Sequence, residues 1–297
     1  MFRMHAFIAA SVVSLLSFTA ADSAHAANPL GVAFKTVTNV SLYGKPTGML
    51  IAGRCNYNDP AFATARRGGA EVLAYVNPIA RPDHYVCALD TKFYMNDLGQ
   101  VPLWPYPTYG QRSPWANTRM TDMRAGSDWS DHVVSYVEGL MRGGKFDGVF
   151  LDVVGVRPWS SLAEWNSWPQ SEKNAFAQGN VDLVRRLDAR RRAINPKFLI
   201  VANNVWESGT TRALEGERYI DGVMLEHPKP GSPWHKTYAA KPFGNLGHRR
   251  VLVIANTRAD AQAWAKVPGV THVSDQTAAQ YKNPNVPAVP FQALRDR

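Results

Sequence analysis

Cysteine is scarce in this chain, with only Cys55 and Cys87 among 297 residues. Two thiols cannot build a four-cysteine zinc site or a multi-bridge scaffold. The eight histidines form no H-x-H or H-E-x-x-H pattern, so no metal site is expected. No Gly-x-Ser-x-Gly elbow is present, and no glycine-rich fingerprint follows an early strand, so neither a serine hydrolase nor a dinucleotide cofactor is expected. Gly139 to Lys145 imitates a phosphate loop, but Phe146 stands where Ser or Thr is needed. Helix-turn-helix, zinc-finger and RNP-like patterns are also missing, which leaves no nucleic-acid partner. Beyond the N-terminus no apolar run reaches membrane-spanning length, which excludes stable membrane insertion.

The N-terminus itself reads as an export signal. Arg3 precedes an apolar stretch from Ala6 to Phe18, and Ala24-His25-Ala26 offers a cleavage site. Residues 1–26 are then a cleaved signal, and the mature chain is periplasmic or secreted. In that oxidising setting Cys55 and Cys87 can pair as a disulfide, two buried thiols being the alternative. The formal charge of +9 suits either plain solubility or an anionic partner. Much of it sits in Arg185 to Arg192, which continues a helical pattern and reads as a solvated helix face.

Short apolar runs recur at even spacing with helical segments between. The expected strands are 50–56, 71–77, 118–122, 147–152, 198–203, 220–226, 251–256 and 271–275. Most lack polar alternation, as parallel strands covered on both faces do. Helices are expected over 127–141, 171–192 and 258–266. Eight strand–helix repeats predict a single-domain (β/α)8 TIM barrel over residues 49–297, with 27–48 as an N-terminal extension. An open doubly wound sheet is the alternative.

Every expected strand ends in Asn, Asp or Glu, among them Asn77, Asp122, Asp152, Asn203, Glu226 and Asn256. On a barrel that rim carries the active site. Taken singly, such residues are also ordinary turn formers and caps. Two strands share a pattern: Asp147-Gly-Val-Phe-Leu-Asp152 and Asp221-Gly-Val-Met-Leu-Glu226. Side-chain alternation puts Asp152 and Glu226 on the inward face and the leading aspartates in structural positions. As the fourth and sixth strands, they would hold the two carboxylates at one height and about 5–9 Å apart. That spacing suits acid–base or nucleophilic chemistry on a glycosidic bond. The intervening loops are rich in tryptophan, and Trp159, Trp206 and Trp234 are candidates to stack on sugar rings. Packing under a long loop is the alternative for each.

The segment Lys145-Phe-Asp-Gly-Val-Phe-Leu-Asp152, with Ala74-Tyr75-Val76-Asn77 and Leu225-Glu226, resembles bacterial (β/α)8 glycoside hydrolases related to endo-α-1,4-polygalactosaminidases. The resemblance implies an exported, endo-acting enzyme on an exopolysaccharide. It implies Asp152 as nucleophile or base and Glu226 as acid; partial burial and the charge of Asp152 are then expected to raise the proton affinity of Glu226. Tyr75, Asn77, Asp122, Asn203 and Asn256 join the tryptophans as expected substrate contacts, with Asn203, Asn256 and Asp122 holding sugar hydroxyls. Relatives often carry a second Asp three residues after the first, where this chain has Gly155. A monomer acting on a polysaccharide, with anionic polymers suiting the charge, is the expectation. A non-catalytic carbohydrate-binding barrel is the alternative.

Overall fold

Apolar runs without polar alternation become strands with both faces covered, and eight of them close into a parallel barrel. The computed structural model describes residues 30–35, 48–82, 93, 118–157, 166–203, 216, 218–232, 250–267 and 270–274. Its strands are β1 (Leu30–Lys35), β2 (Met49–Ala52), β3 (Glu71–Val76), β4 (Ala80–Pro82), β5 (Thr118–Met120), β6 (Gly148–Leu151), β7 (Leu199–Asn203), β8 (Gly222–Glu226), β9 (Arg250–Ile254) and β10 (His272–Ser274). The barrel runs β1-β2-β3-β6-β7-β8-β9-β10 and closes where β10 pairs with β1. Every pairing around it is parallel.

Alternate residues divide between two apolar layers. Ile51, Leu73, Phe150, Val201, Met224, Leu252 and Ile254 fill the barrel. Their neighbours Leu50, Val72, Val149, Leu151, Ile200, Val223 and Val253 join the layer outside it. This double burial is why the sequence shows no period-two polarity. Among the described residues the helices are α1 (Pro60–Arg67), α2 (Asp128–Gly143), α3 (Gln170–Ile194) and α4 (Arg258–Trp264). Asp59, Ser127 and Thr257 cap α1, α2 and α4 through their side chains. None of the described helices is long and apolar enough to cross a membrane.

Two expectations are corrected. Residues 118–122 do not form a barrel strand. Thr118–Met120 pairs antiparallel with Ala80–Pro82 in a separate two-stranded ribbon. Its polar, one-sided sequence cannot be buried on both faces, since Arg119 is exposed while Met120 is buried. The missing strand comes from the segment taken as an extension, because β1 lies between β10 and β2. One strand leaves the count and one enters before β6, so β6 and β8 remain fourth and sixth.

The arginine-rich run lies on α3, where its charges are met by carboxylates. Arg185 pairs with Asp182, Arg186 with Asp131 of α2, and Arg190 with Glu138 of α2. Arg191 bridges Asp188 and Asp221, and Arg192 reaches Asp188. The run therefore ties α3 to α2 and to the start of β8.

The barrel floor is also ionic. Arg250, opening β9, donates Nε to Glu71 of β3 at 2.9 Å across the barrel. Buried beside Arg250, His272 is pushed down to about 3, first by desolvation and then by the guanidinium, and is neutral.

Candidate active site

The repeated strand pattern is built twice by the same contacts. At the lower end, Asp147 accepts from Val72 N of the preceding strand at 2.8 Å, and Asp221 accepts from Ile200 N at 2.9 Å. Each carboxylate also receives an arginine from the helix that comes before the neighbouring strand, Arg66 of α1 for Asp147 and Arg191 of α3 for Asp221. The leading aspartates are structural, as side-chain parity requires. The glycines that follow them face the next strand at close range. A Cβ on Gly148 would lie 2.5 Å from Leu199 O, and one on Gly222 would lie 2.6 Å from Arg250 O.

At the upper end the two strands deliver Asp152 and Glu226 to the rim. Asp152 follows β6 directly, and its N–H continues the ladder to Val76 O at 2.8 Å. Glu226 is the last residue of β8. Between these strands lies β7, and its last residue, Asn203, is turned toward both. Asn203 Nδ2 donates to Asp152 Oδ1 at 2.7 Å and to Glu226 Oε2 at 3.2 Å. The nearest oxygens of the two carboxylates are therefore within about 6 Å of each other.

Their surroundings differ. Asp152 is half-buried, and Tyr75 Oη donates to its Oδ2 at 2.6 Å, with Asn77 Nδ2 more distant at 3.5 Å. Val153 N–H adds a main-chain donor. Burial dominates these donors and pushes Asp152 up to about 6, with the Glu226 charge contributing in the same direction. The carboxyl that burial raises is thus Asp152. Glu226 stands at the rim with 37% of its side chain exposed. His227 Nε2 lies 3.8 Å from Glu226 Oε1, so this histidine flanks the pair from the turn after β8.

The other expected contacts separate. Tyr75 and Asn203 reach the carboxylates themselves. Asn77 spends its carbonyl oxygen on Ile79 N and Ala80 N, shaping the loop after β3. Asp122 is corrected: it does not end a barrel strand. Its carboxylate is occupied by Arg124, through the main-chain N at 3.1 Å and the guanidinium at 2.7 Å. Asn256 is exposed in the turn before the cap residue Thr257, the ordinary role for Asn there. Trp168, one of the loop tryptophans, is buried and packs edge-on to Phe176. Trp159, Trp206, Trp234 and Cys87 lie outside the described residues. Cys55, on the 3-10 turn after β2, is disulfide-bonded.

Sequence reading missed two features. One is the left-handed backbone at Val153 and His227, with φ of 63° and 52°, each directly after a rim carboxylate. Nothing in the residue types announces a valine there. The other is the bracing of the rim loops by tryptophans from the helices. Trp129 Nε1 donates to Pro78 O at 2.8 Å, and Trp264 Nε1 donates to Pro228 O at 2.9 Å.

No protein-family model matches the sequence, and no curated protein matches it either. Solved structures do resemble it. The glycoside hydrolase domain of PelA from Pseudomonas aeruginosa superposes with a TM-score of 0.58 at 14% identity, covering 88% of this chain and 98% of that one. Ega3 of Aspergillus fumigatus, in complex with galactosamine, gives 0.51 at 11% identity, covering 89% and 94%. A Paenibacillus cycloisomaltooligosaccharide glucanotransferase gives 0.50 at 14% identity over 76% of this chain and 38% of that enzyme. At these identities the likeness carries the fold alone, a TIM barrel.

Proposed function

We propose that this chain is an exported glycoside hydrolase that cleaves a polysaccharide with retention of configuration, endo-acting and monomeric. The observation carrying this reading is the Asp152–Glu226 pair, held by one shared donor at a separation of about 6 Å or less. Retaining enzymes place their carboxyl groups about 5–5.5 Å apart, while inverting enzymes leave about 6.5–9.5 Å for a water. The pair sits at the C-terminal rim, where barrel enzymes carry their chemistry. The likeness to the PelA glycoside hydrolase domain and to galactosamine-bound Ega3 supports the same reading.

The roles follow from the surroundings. Asp152 is fixed by donors that all point at its oxygens, an arrangement matched to the ionised form and to attack in one orientation. One of its oxygens bonds the anomeric carbon as the glycosidic C–O bond breaks. Glu226, longer and half-exposed, gives its proton to the leaving oxygen. It then takes a proton from the water that attacks the same carbon and releases Asp152. The signal at residues 1–26 supports export, and the disulfide at Cys55 is assigned to Cys87. Trp159, Trp206 and Trp234 are assigned to sugar stacking.

The test uses purified mature protein on anionic and amino-sugar polysaccharides, read by reducing ends and by the anomer first released. Retained configuration is expected. Asp152→Asn and Glu226→Gln should each cut turnover at least about a hundredfold. On an activated aryl glycoside, whose leaving group needs little protonation, Glu226→Gln should lose much less bond-cleavage rate than Asp152→Asn. Equal losses reject the roles, inverted product rejects the mechanism, and binding without turnover on every polymer returns the binding-barrel alternative.

A further inference from the structure

Asn203 was expected to hold a sugar hydroxyl. Its amide nitrogen carries two N–H groups, and both are engaged: one on Asp152 at 2.7 Å, the other on Glu226 at 3.2 Å. The side chain is 6% exposed, so these bonds are enclosed and not readily exchanged for water. Strand order explains why this residue does it. β7 lies between β6 and β8, and side chains of one parity point into the barrel from all three: Phe150 pairs with Val201, and Asn203 with Met224.

We infer that Asn203 is the positioning residue of the carboxylate pair, setting its spacing and joining the two groups through one amide. This inference rests on the reading of the pair as the reacting groups. Two carboxylates on neighbouring inward positions repel, and a single neutral donor placed between them lets both approach without a cation. Among the described residues, the titratable groups facing this unit are Tyr75 from β3, Asp152 after β6, Glu226 on β8 and His227 just beyond it. A donor to Asp152 favours its charged form, so Asn203 opposes the burial that raises that carboxyl. With its amide hydrogens committed, Asn203 contributes to catalytic rate through the pair and not to affinity through a sugar hydroxyl.

Two readouts separate these roles. The first is carboxyl titration of the mature protein by 13C NMR, with Asp152 and Glu226 assigned from Asp152→Asn and Glu226→Gln. In Asn203→Leu, close in shape but without a donor, the Asp152 midpoint should rise by about 1 pH unit, the scale of one hydrogen bond to a charged group. The second is steady-state kinetics, where kcat should fall at least about thirtyfold with KM within about threefold of wild type. Asn203→Asp keeps the outline and adds a charge, so its Asp152 midpoint should rise further. If Asn203→Leu does not fold, that variant decides the question alone. An unmoved Asp152 midpoint overturns the inference, as does a raised KM with unchanged kcat, which would mark a substrate contact. The NMR arm needs no turnover, so a wild-type protein inert on every polymer would remove the hydrolase reading while leaving the positioning inference to be judged on the midpoint.

Discussion

Val153 and His227 take the same left-handed turn in two copies of one strand unit, each directly after a rim carboxylate. Among the described residues they are the only non-glycine positions with positive φ. At Val153 the turn brings the N–H back onto the Asp152 carboxylate, and at His227 the N–H bonds Ile254 O at 2.7 Å. For a β-branched residue this backbone costs on the order of 1–3 kcal/mol, a strain found where function needs a fixed geometry.

Replacing Val153 by Gly relieves that strain and forfeits the burial of a valine side chain, which is worth about 1.5–3 kcal/mol. The two effects oppose, so stability in urea should stay within about 1 kcal/mol of wild type. Turnover should fall about tenfold or more, because the carboxylate loses its fixed orientation. A large stability loss with unchanged turnover would make Val153 a packing residue only.

Asp152 gives stability a defined pH dependence. Its folded carboxyl sits near 6, against 3.8 for an ordinary aspartate, so the folded state binds the proton more tightly than the unfolded chain. Its contribution is then fullest below about pH 4 and is lost as pH rises through about 6. Relative to Asp152→Asn, wild type should lose about 3 kcal/mol across that window, from the size of the shift. Turnover should rise over the same interval as the nucleophile ionises. Paired urea titrations from about pH 4 to pH 8 check the first point, and a pH–rate profile checks the second. A stability difference that is flat with pH contradicts the burial of Asp152.

Gly148 and Gly222 are kept small by the strand beside each. Ala at either position would press its Cβ against Leu199 or Arg250 and should cost about 2–3 kcal/mol. Gly139, on the exposed face of α2, has nothing within 4 Å of the added carbon, so Gly139→Ala should stabilise by about 0.5–1 kcal/mol. Thermal unfolding of the three variants decides it. Equal effects at all three would mean that strand approach is not what excludes the side chain.

The Arg250–Glu71 pair spans the floor, at the end of the barrel away from the carboxylates. Both side chains are 29% exposed, so solvent screens the pair in part. Glu71→Ala should cost about 1–2 kcal/mol, with a smaller loss in high salt and turnover unchanged. An unchanged unfolding midpoint would mean that desolvation cancels the attraction.

Much of this protein was legible in local pattern. Runs such as Leu199-Ile-Val-Ala-Asn203, apolar on both parities, can be stable only when covered on both faces, and that demand leads to a parallel α/β barrel. The doubled Asp-Gly-Val-x-Leu-carboxylate pattern fixed which face Asp152 and Glu226 would take, because strand parity is a local property. Which residues meet on that rim is another matter. Asp122 and Asn203 are equally plausible in sequence, yet β5 pairs away from the barrel while β7 falls between the two carboxylate strands. Tyr75 reaches Asp152 across 77 positions of chain. β1 becomes a strand because it closes the ring between β10 and β2. Periodicity records the direction and burial of each side chain. It does not record which distant segments become neighbours, and both the shared amide of Asn203 and the raised proton affinity of Asp152 arise only from that neighbourhood.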